Sequence, residues 1–358
     1  MKKTLEELRE ELRRKDLALV KLLSERARIS VEVGRIKDAD GQEIYDPAQE
    51  SRIYEHVKQI NEGPLTEASL KNIFREILSS SRALQGPVKV AYFGLEASFT
   101  HLAAMSHFGM SAQLSPTASI PKVFAEVEGE KADWGVVPVE NSVEGSVKQT
   151  LDRLIATPLS IRAEIFLRIS HCLLSITDDL SVVKRVYSHP QALAQCQTWL
   201  RTNLPGCRLV EEESTSGAAQ RVLQDPEGAA IGSVIAGEVY GLRTLAEGIE
   251  DYPLNTTRFL VIGPGKSSAT GKDKTSITFG TPDVPGSLYR ALEPLAREAL
   301  NMIKIESYPV KDRMWEYLFF VDLEGHSSEP KISACLKEME RVTTHIKLLG
   351  SYPRGNGQ

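Results

Sequence analysis

Residues 134–146 read WGVVPVENSVEGS. The first seven are mostly apolar and predict a buried β-strand, whereas the small and polar residues after them predict a turn. A helical pattern then runs from about Val147 to Ile155. A strand, a turn and a helix in this order form the repeating unit of an α/β domain, so this stretch indicates the fold class of the middle of the chain.

The same pattern recurs on both sides of this stretch. Strands are predicted at VKVAYFG (88–94), VVKRVYSH (182–189) and GAAIGS (228–233), and a helical pattern follows each of them. We therefore expect an α/β domain at residues 88–265, with two lobes and a cleft between them. The polar stretch GPGKSSATGKDK (263–274) predicts a flexible linker behind this domain.

Residues 1–86 predict an all-helical domain. Leucines at helical spacing and the lack of proline predict one helix up to about Lys37. Asp46-Pro47, an N-cap followed by proline at the first helical position, predicts the start of a second helix, and Thr66 predicts the start of a third. A first helix of about thirty residues spans about 45 Å and is too long to be stable alone. We therefore expect helices from two chains to share a core.

The last part of the chain, residues 275–353, predicts the order βαββαβ of a ferredoxin-like domain. The predicted strands and helices are TSITFGT (275–281), LYRALEPLAREAL (288–300), MIKIESYPV (302–310), WEYLFFVDLEG (315–325), KISACLKEMERV (331–342) and HIKLLGSY (345–352). Because this fold carries many functions, the pattern alone predicts none of them.

Length and composition narrow the class of protein. The chain has 358 residues, which indicates two or three domains. Its 41% hydrophobic and 25% charged residues and its net charge of −5 are typical of a soluble protein, not of one that binds nucleic acid or an anionic membrane. With no signal-peptide pattern and no run of about 18 apolar residues, we expect a cytoplasmic protein. The four cysteines form no CxxC pair and the histidines add no metal-ligand spacing, so we expect reduced thiols and no metal site.

Four polar clusters fall at predicted strand ends or in the turns after them. They are FGLEASFTH (93–101), VPVENSVEGS (137–146), SHPQA (188–192) and NTTRF (255–259). Each cluster alone could be turn and capping chemistry, since Ser98 and Thr100 precede a helix and Arg258 could form a structural ion pair. Together they indicate a cleft for a small polar ligand, because ligands bind at the carboxyl ends of strands in α/β sheets.

The charged residues of the first helix could simply form a solvated face. Arg26 and Lys37 are eleven residues apart, however, which places them on one face and suits a dianionic ligand. Arg9 lies about 100° round the same helix and could instead serve the site of a partner chain. Two further pairs share a face because they are four residues apart: Asp46 with Glu50, and Ser81 with Gln85.

Residues 5–85 resemble the all-helical chorismate mutase family. The matching stretches are LEELREEL (5–12), LLSERARISVEVGRIK (22–37), YDPAQE (45–50) and IFREILSSSRALQ (73–85). The resemblance implies a helix-exchanged dimer with two equivalent sites. It also implies the residues that bind chorismate: Arg26, Lys37 and Arg9 of the partner subunit for the carboxylates, Lys37 and Gln85 for the ether oxygen, Asp46 and Glu50 for the ring hydroxyl, and Ser81 nearby.

The implied mutase reaction is a [3,3] rearrangement within one molecule, which needs no nucleophile and no cofactor. Negative charge develops on the ether oxygen, and a fixed lysine together with a second donor stabilises it. Cationic side chains hold the substrate in its reactive conformer. The family usually has arginine where this chain has Gln49, so one positive charge near the pocket is lost.

Residues 88–263 closely resemble the prephenate dehydratase family. The matching stretches are VPVENSVEG (137–145), YSHPQALAQC (187–196), AAIGSVIAGEVYGL (229–242) and NTTRFLVIG (255–263). The resemblance implies an active site between two α/β lobes, with Thr257 as the essential residue. The implied prephenate site also contains Ser98, Thr100, Glu140, Asn141, Ser142 and Gln191.

The implied dehydratase reaction couples the loss of CO2 to the loss of the ring hydroxyl. Because a threonine hydroxyl is a weak acid, we expect Thr257 to be a positioned hydrogen-bond donor to the leaving oxygen. Ala97 stands where the family usually has glycine, so we expect the turn at residues 94–100 to adjust.

Residues 275–353 resemble an ACT domain, with GSLY (286–289) and ESYP (306–309) at its two motifs. The resemblance implies that phenylalanine binds at a dimer interface and lowers activity. The implied effector residues are Gly286, Ser287, Leu288, Glu306 and Ser307. Tyr308 stands where the motif usually has arginine, and an ACT domain kept only for dimerisation is the alternative.

The three resemblances imply an enzyme of phenylalanine biosynthesis that converts chorismate to prephenate and then to phenylpyruvate. We expect a homo-oligomer of at least two chains that uses no cofactor. Two alternatives stay open. One is a dehydratase whose mutase domain is inactive because of Gln49, and the other is a non-catalytic sensor of prephenate or an amino acid.

Overall fold

The computed structural model describes residues 3–309 and 317–355. The chain divides into two compact units, Met1–Val88 with Phe108–Gln113, and Lys89–His107 with Leu114–Gln358. Val310 and Trp315-Glu316, which the sequence predicts to be ends of strands, lie outside the described residues.

The first unit is built from three helices, as predicted. They are α1 (Leu5–Ala39), α2 (Pro47–Gln59) and α3 (Glu67–Ala83). The predicted caps are present, since Asp46 accepts hydrogen bonds from the first turn of α2 and Thr66 accepts one from the Ser69 N–H. Helix α1 begins with a capping box between Thr4 and Glu7.

Helix α1 leaves most of its apolar side chains uncovered. Of its 35 residues, Gly34 is the buried one. Its exposed apolar side chains include Leu5, Leu8, Leu12, Leu17, Leu19, Val20, Leu22, Ile29 and Ile36. Gly34 is buried because it lies against Gln85, and a Cβ at this position would meet Gln85 Cγ at 2.8 Å. None of the helices in the described ranges has the length and apolar character needed to cross a membrane.

The second unit begins with a mixed sheet whose strand order is β2-β1-β3-β11-β5. The strands are β1 (Lys89–Phe93), β2 (Gln113–Thr117), β3 (Trp134–Asn141), β5 (Ser160–Arg168) and β11 (Thr256–Gly263), and the short β4 (Gly145–Ser146) pairs with β3. Three helices accompany it: α4 (Phe99–Phe108), α5 (Ile120–Glu128) and α6 (Lys148–Ala156). The last strand, β11, returns from the far end of the domain and pairs antiparallel with both β3 and β5.

A second mixed sheet has the order β10-β6-β9-β7-β8. Its strands are β6 (Cys172–Ser175), β7 (Arg185–Ser188), β8 (Arg208–Glu211), β9 (Gly228–Gly232) and β10 (Arg243–Glu247). Its helices are α7 (Pro190–Gln195), α8 (Gln197–Asn203), α9 (Thr215–Val222) and α10 (Val234–Tyr240). The middle of the chain thus has two sheets that alternate with helices, as the sequence predicts.

The C-terminal part has the predicted order βαββαβ. Its elements are β12 (Asp273–Gly280), α11 (Ser287–Arg297), β13 (Met302–Pro309), β14 (Tyr317–Glu324), α12 (Pro330–Val342) and β15 (His345–Pro353). The sheet order is β13-β14-β12-β15, with antiparallel pairing throughout. One face packs on α11 and α12, and side chains from the other face, including Tyr308 and Tyr352, share a core with the first sheet.

The stretch between β11 and β12 differs from its prediction as a flexible linker. Ser267 is buried and accepts a hydrogen bond from Arg162 Nε (3.2 Å). Thr270 donates to the carboxylate of Asp273 (2.8 Å), and β12 already begins at Asp273. Most residues between the two strands are exposed, as the polar composition predicts, but these contacts anchor the connection to the folded chain.

Candidate functional site

Thr257 lies at the start of β11, directly opposite Asn141 at the end of β3. Asn141 Nδ2 donates a hydrogen bond to Thr257 Oγ1 (2.8 Å). A hydroxyl that accepts from a fixed amide is left with its own proton to donate. This arrangement prepares Thr257 to act as a hydrogen-bond donor to a bound molecule.

A chain of side-chain amides holds Asn141. Asn141 Nδ2 also donates to Asn255 Oδ1 (2.7 Å), and Asn255 Nδ2 donates to Gln195 Oε1 (3.0 Å). Gln195 Nε2 in turn donates to the Glu144 carboxylate (2.9 Å). Because a carboxylate only accepts hydrogen bonds, Glu144 fixes the orientation of Gln195 and, through Asn255, that of Asn141.

His171 is the buried neighbour of Gln195 in this series of hydrogen bonds. Its Nε2 lies 3.0 Å from Gln195 Oε1, and because that oxygen is an acceptor, Nε2 carries the proton. Burial lowers the pKa of His171, against a smaller opposing effect of the Gln195 hydrogen bond, so the neutral ring is favoured. Its Nδ1 is buried and has no hydrogen-bond partner within the described part of the chain.

Four members of this chain were not among the residues predicted from the sequence: Glu144, His171, Gln195 and Asn255. Three of them stand inside stretches already quoted, VPVENSVEG, YSHPQALAQC and NTTRF. Gln195 comes four residues after Gln191, so helical spacing could have pointed to it. His171 lies outside every quoted stretch, and only the fold brings it to Gln195.

Two further residues predicted for this cleft, Ser142 and Gln191, lie in different surroundings. Ser142 joins the ends of β3 and β11, since its Oγ accepts from the Thr256 N–H (3.0 Å) and its N–H donates to the Thr256 carbonyl (2.9 Å). The Gln191 N–H donates to His189 Nδ1 (3.3 Å), and no described contact brings the Gln191 side chain into the amide chain.

The turn before α4 carries Ser98 and Thr100. Ser98 Oγ accepts from the His101 N–H (3.2 Å), which is a capping contact, and Thr100 is buried. Ala97, at the family's glycine position, adopts a left-handed conformation with φ +62°. Its N–H donates to His101 Nδ1 (3.0 Å) and its carbonyl accepts from Ser233 Oγ (2.9 Å), so the turn keeps a backbone shape that favours glycine.

The placement of Glu140 corrects its prediction as a residue of the Asn141 cleft. Successive side chains of a strand point to opposite faces, so Glu140 faces away from Asn141. Its carboxylate pairs with Lys304 Nζ of β13 (2.9 Å). Arg258, which lies opposite Glu140 in the strand register, shares this face.

Arg258 is buried at the contact with the C-terminal sheet. It donates to Asp322 (2.6 Å) and to Tyr352 Oη (2.9 Å), and its Nε lies 2.8 Å from the Glu164 carboxylate. Lys274 pairs with the same carboxylate (2.7 Å). The alternative reading of Arg258 as a structural ion pair is therefore confirmed.

The residues predicted to bind an effector lie in two places. Gly286 has φ +80° and precedes α11, where Ser287 donates to the Val284 carbonyl (2.6 Å). Glu306 of β13 accepts from Ser146 and pairs with Lys304 (3.1 Å). The described contacts do not bring Glu306 together with Gly286, Ser287 or Leu288, and no described side-chain contact involves Ser307.

In the helical unit, two of the predicted residues, Arg26 and Ser81, lie together at one pocket. Arg26 Nη1 donates to Ser81 Oγ, and Ser81 donates to the Ile77 carbonyl (2.7 Å). They line an open pocket with Val20, Leu23, Ser24, Ala27, Glu76, Ile77, Ser80 and Leu84. Arg9 does not line this pocket, which agrees with its position round the helix. Its side chain is exposed and lies 3.8 Å from the Glu6 carboxylate.

The remaining predicted residues of this unit make contacts within the chain. Lys37 Nζ donates to the carbonyls of residues 43 (3.0 Å) and 44 (2.9 Å), and Asp46 caps α2. The Glu50 carboxylate accepts from buried Arg82, while burial raises its pKa. Gln85 Oε1 is buried without a hydrogen-bond partner among the described residues, so the proposed donor role of Gln85 falls to its amide nitrogen.

Comparison with known proteins matches three family models along the chain. They are "Chorismate mutase type II" at residues 8–86, "Prephenate dehydratase" at residues 90–267 and "ACT domain" at residues 275–341. A bifunctional chorismate mutase/prephenate dehydratase of Aquifex aeolicus is 44% identical over 98% of this chain and 98% of its own length.

Two solved structures resemble this chain over about three quarters of its length. A prephenate dehydratase of Arthrobacter aurescens in complex with L-Phe is 34% identical, with a TM-score of 0.70 over 76% of this chain and 91% of its own. A protein described as GqqA, a quorum quenching acylase, is 30% identical, with a TM-score of 0.69 over 75% of this chain and 98% of its own.

Proposed function

This chain belongs to the family of bifunctional chorismate mutase/prephenate dehydratases, and we propose that its two activities reside at two separate sites. The helical unit carries the mutase site around Arg26 and Lys37. The second unit carries the dehydratase site around Thr257. The observation that supports the second assignment is the hydrogen bond from Asn141 to Thr257, because it leaves the threonine proton available to a ligand.

At the dehydratase site, the C–C bond to the ring carboxylate breaks and its electrons enter the ring. The ring C–O bond then breaks, and the departing oxygen takes up a proton from solvent and leaves as water. Thr257 is placed to donate a hydrogen bond to this oxygen, whose negative charge grows in the transition state. Aromatisation drives the reaction, so the site needs no covalent intermediate.

The amide side chains that surround Thr257 carry no positive charge, which suits a decarboxylation. Asn141, Asn255 and Gln195 offer amide dipoles and no full positive charge. A cation beside the carboxylate that is lost would stabilise the ground state more than the transition state, in which that charge disperses. The charged groups nearest along the strands, Arg258 and Glu140, face the other side of the sheet.

At the mutase site, Arg26 is the cation that faces the open pocket. Ser81 holds its guanidinium, which reduces the ordering cost when a substrate carboxylate binds. Lys37 lies eleven residues further along α1 and is the proposed donor to the ether oxygen, together with Gln85. Arg26 would thus hold a substrate carboxylate, whereas Lys37 and Gln85 would stabilise the negative charge on the oxygen of the breaking C–O bond.

We propose that two chains exchange α1 to complete this site. The exposed apolar side chains of α1 need a covering surface, and Leu17 for example is 73% exposed. Arg9 lies about 26 Å along the helix from Arg26, so only the Arg9 of the partner subunit could reach the same pocket. Light scattering tests this: wild type should have the mass of at least a dimer, and Leu17→Glu should lower the mass and the mutase rate together.

The C-terminal domain is the proposed sensor. We expect phenylalanine to bind it and to lower the dehydratase rate, as the L-Phe complex of the Arthrobacter relative suggests. Millimolar phenylalanine should then lower the dehydratase rate and shift the thermal midpoint. If phenylalanine at this concentration changes neither quantity, the domain serves assembly only.

A product assay tests the main assignment. Purified protein is given chorismate or prephenate, and mass spectrometry follows prephenate and phenylpyruvate. Because the same fold carries a different named activity in the acylase, the fold alone does not decide the reaction. Conversion of prephenate without conversion of chorismate would identify an inactive mutase domain, and no conversion of either would identify a sensor.

A further inference from the structure

Two consecutive residues of α3 hold two groups that the family resemblance assigns to the mutase site. Ser81 accepts a hydrogen bond from the Arg26 guanidinium of α1, and Arg82 donates through Nη1 to the Glu50 carboxylate of α2. Successive residues of a helix point about 100° apart, so α3 contacts both neighbouring helices at one level. Ser81, Arg26 and Glu50 are residues predicted from the sequence, whereas Arg82 is not among them.

The Arg82 side chain is buried and held on several sides. The residue is 4% exposed, and its Nη2 donates to the Phe108 carbonyl. Its guanidinium lies over the Tyr45 ring, 5.5 Å from the ring centroid, and Tyr45 packs on Phe108 with 5.1 Å between ring centroids. Because these contacts leave the guanidinium little freedom, they also fix the place of the Glu50 carboxylate that it binds.

The Glu50 carboxylate depends on Arg82 for its charge. Its side chain is 13% exposed, and no described residue other than Arg82 forms a hydrogen bond or an ion pair with it. Burial raises the pKa of Glu50, and the Arg82 charge is the largest effect that opposes this shift. Without Arg82, the buried carboxylate would therefore be driven further towards its neutral form.

Three other titratable groups act on Glu50. Asp46 at the N-cap of α2 raises the pKa of Glu50, and Lys37 of α1 lowers it by a smaller amount than Arg82 does. Burial and the Glu50 charge raise the pKa of Tyr54, so its hydroxyl stays protonated. Since Lys37 donates to two backbone carbonyls, Arg82 is the cation in direct contact with the carboxylate within the described ranges.

The arrangement leaves one carboxylate oxygen for a ligand. Arg82 binds Glu50 Oε1, and Oε2 makes no hydrogen bond to the described part of the chain. An ionised carboxylate only accepts hydrogen bonds, which matches a substrate hydroxyl that donates one. Such a bond to a charged acceptor is roughly twice as strong as one between neutral groups. A protonated Glu50 would lose this advantage.

We propose that Arg82 is a positioning residue of the mutase site, which holds Glu50 in place and in its charged form for the ring hydroxyl of chorismate. The proposal rests on the mutase function proposed above and on the role that the resemblance implies for Glu50. Gln49, where the family usually has arginine, is exposed, so in this chain the cation beside Glu50 comes from α3 instead.

The test follows the mutase kcat/KM of the full-length protein from about pH 5 to pH 9, because this ratio reports ionisations of the free enzyme. Arg82→Gln keeps a hydrogen-bond donor and removes the charge. The pKa of Glu50 should then rise, so the pH below which activity is lost should move up by about 1–3 units. The dehydratase profile, measured on the same samples, should stay that of wild type.

Arg82→Lys separates charge from geometry. Lysine keeps the positive charge and loses the planar fork of the guanidinium. The acid limb of the mutase profile should therefore move much less than in Arg82→Gln, whereas the KM for chorismate should rise at least about threefold. If Arg82→Gln does not fold, this variant decides, and a wild-type KM in it overturns the proposal.

Two further variants are controls. Arg75→Gln removes a cation about two turns earlier on α3, which pairs with Glu76 at 2.9 Å, and it should keep the wild-type profile. In Glu50→Gln no carboxylate titrates at this position, so adding Arg82→Gln should shift the acid limb no further. A shift of the same size in both backgrounds would mean that Arg82 acts on another group, and the proposal would be wrong.

The outcomes distinguish the positioning role from the proposed function. A wild-type protein that forms no prephenate from chorismate would overturn the mutase function, and the role of Arg82 with it. An active wild type whose pH profile is unchanged in Arg82→Gln would overturn the role of Arg82 alone. In that case a lower thermal midpoint of the variant would show that the residue is only structural.

Discussion

Tyr308 of β13 donates its hydroxyl hydrogen bond to the carboxylate of Asp152 in α6. The ring is 5% exposed and packs edge-on against Phe320, with 6.0 Å between ring centroids. Burial and then the Asp152 carboxylate raise the pKa of Tyr308 to about 12, so the hydroxyl stays protonated at neutral pH. The position at which the family's effector motif usually has arginine is therefore used here to join the ACT and dehydratase domains.

Tyr308→Phe should destabilise the dehydratase–ACT unit by about 1–2 kcal/mol, because a buried hydrogen bond to a carboxylate is lost. Urea unfolding followed by fluorescence measures this change. Tyr317→Phe, at a tyrosine that is 44% exposed, is the matched control and should change the free energy of unfolding far less. Equal midpoints for wild type and Tyr308→Phe would show that the Asp152 contact contributes no net stability.

Thr257→Ala should abolish phenylpyruvate formation and leave the mutase rate near that of wild type. The reason is that the hydroxyl which Asn141 orients is the proposed donor to the leaving oxygen. Thr256→Ala is the control, since the Thr256 hydroxyl donates to the Leu254 carbonyl (3.3 Å) in the preceding turn. Mass spectrometry of products from each substrate checks both rates, and equal loss of both activities would argue against separate sites.

Much of the fold could be predicted because local signals agree with the tertiary structure. The N-cap Asp46 followed by Pro47 predicts the start of α2, and the alternation of strands and helices predicts two sheets. The stretch at residues 263–274 connects two strands and is mostly exposed between them, as its polar composition predicts. Its anchor could not be predicted, because Ser267 meets Arg162 only in the folded chain.

The site was less predictable, because sequence proximity does not give the face of a strand. Glu140 and Asn141 are neighbours in one quoted motif, yet Asn141 faces Thr257 and Glu140 faces Lys304. Likewise His171 directly precedes β6, and it lies beside Gln195 of α7 only because β6 pairs within the second sheet. Such contacts depend on strand register and domain packing, which a motif does not encode.

Lys37→Ala should lower the mutase rate about 100- to 1,000-fold, the usual cost of removing a donor that stabilises developing charge. The dehydratase rate should not change. Arg28→Ala is the control, because Arg28 is an exposed cation on the same helix. Since Lys37 also donates to the carbonyls of residues 43 and 44, far-UV circular dichroism should accompany the assay. A mutase rate within twofold of wild type would remove Lys37 from the proposed site.

Gln49→Arg should lower the KM for chorismate, because it restores a positive charge near a pocket that binds a dianion. Gln49 is exposed in the first turn of α2, so the longer side chain has room. Steady-state mutase kinetics at low and at high salt check this, and the gain should shrink at high salt. A wild-type enzyme without mutase activity that Gln49→Arg activates would instead support the inactive-mutase alternative.

His171 should make the second unit less stable as the pH falls below about 6.5. Burial lowers the pKa of the folded ring, while an unfolded histidine binds its proton near pH 6.5. In the window from there down to the lowered folded value, the unfolded state holds more protons, so stability rises with pH by up to about 1.4 kcal/mol per unit. Above the unfolded pKa this contribution is constant.

His171→Gln should therefore flatten the dependence of the free energy of unfolding on pH between 5.5 and 7.5, as measured by urea unfolding at several pH values. Part of the slope should remain, because burial also lowers the pKa of His101. The same substitution at His345, an exposed residue, is the control and should leave the slope unchanged. If His171→Gln and wild type show the same slope, the folded and unfolded states bind the His171 proton equally, and burial then does not lower the pKa of this ring.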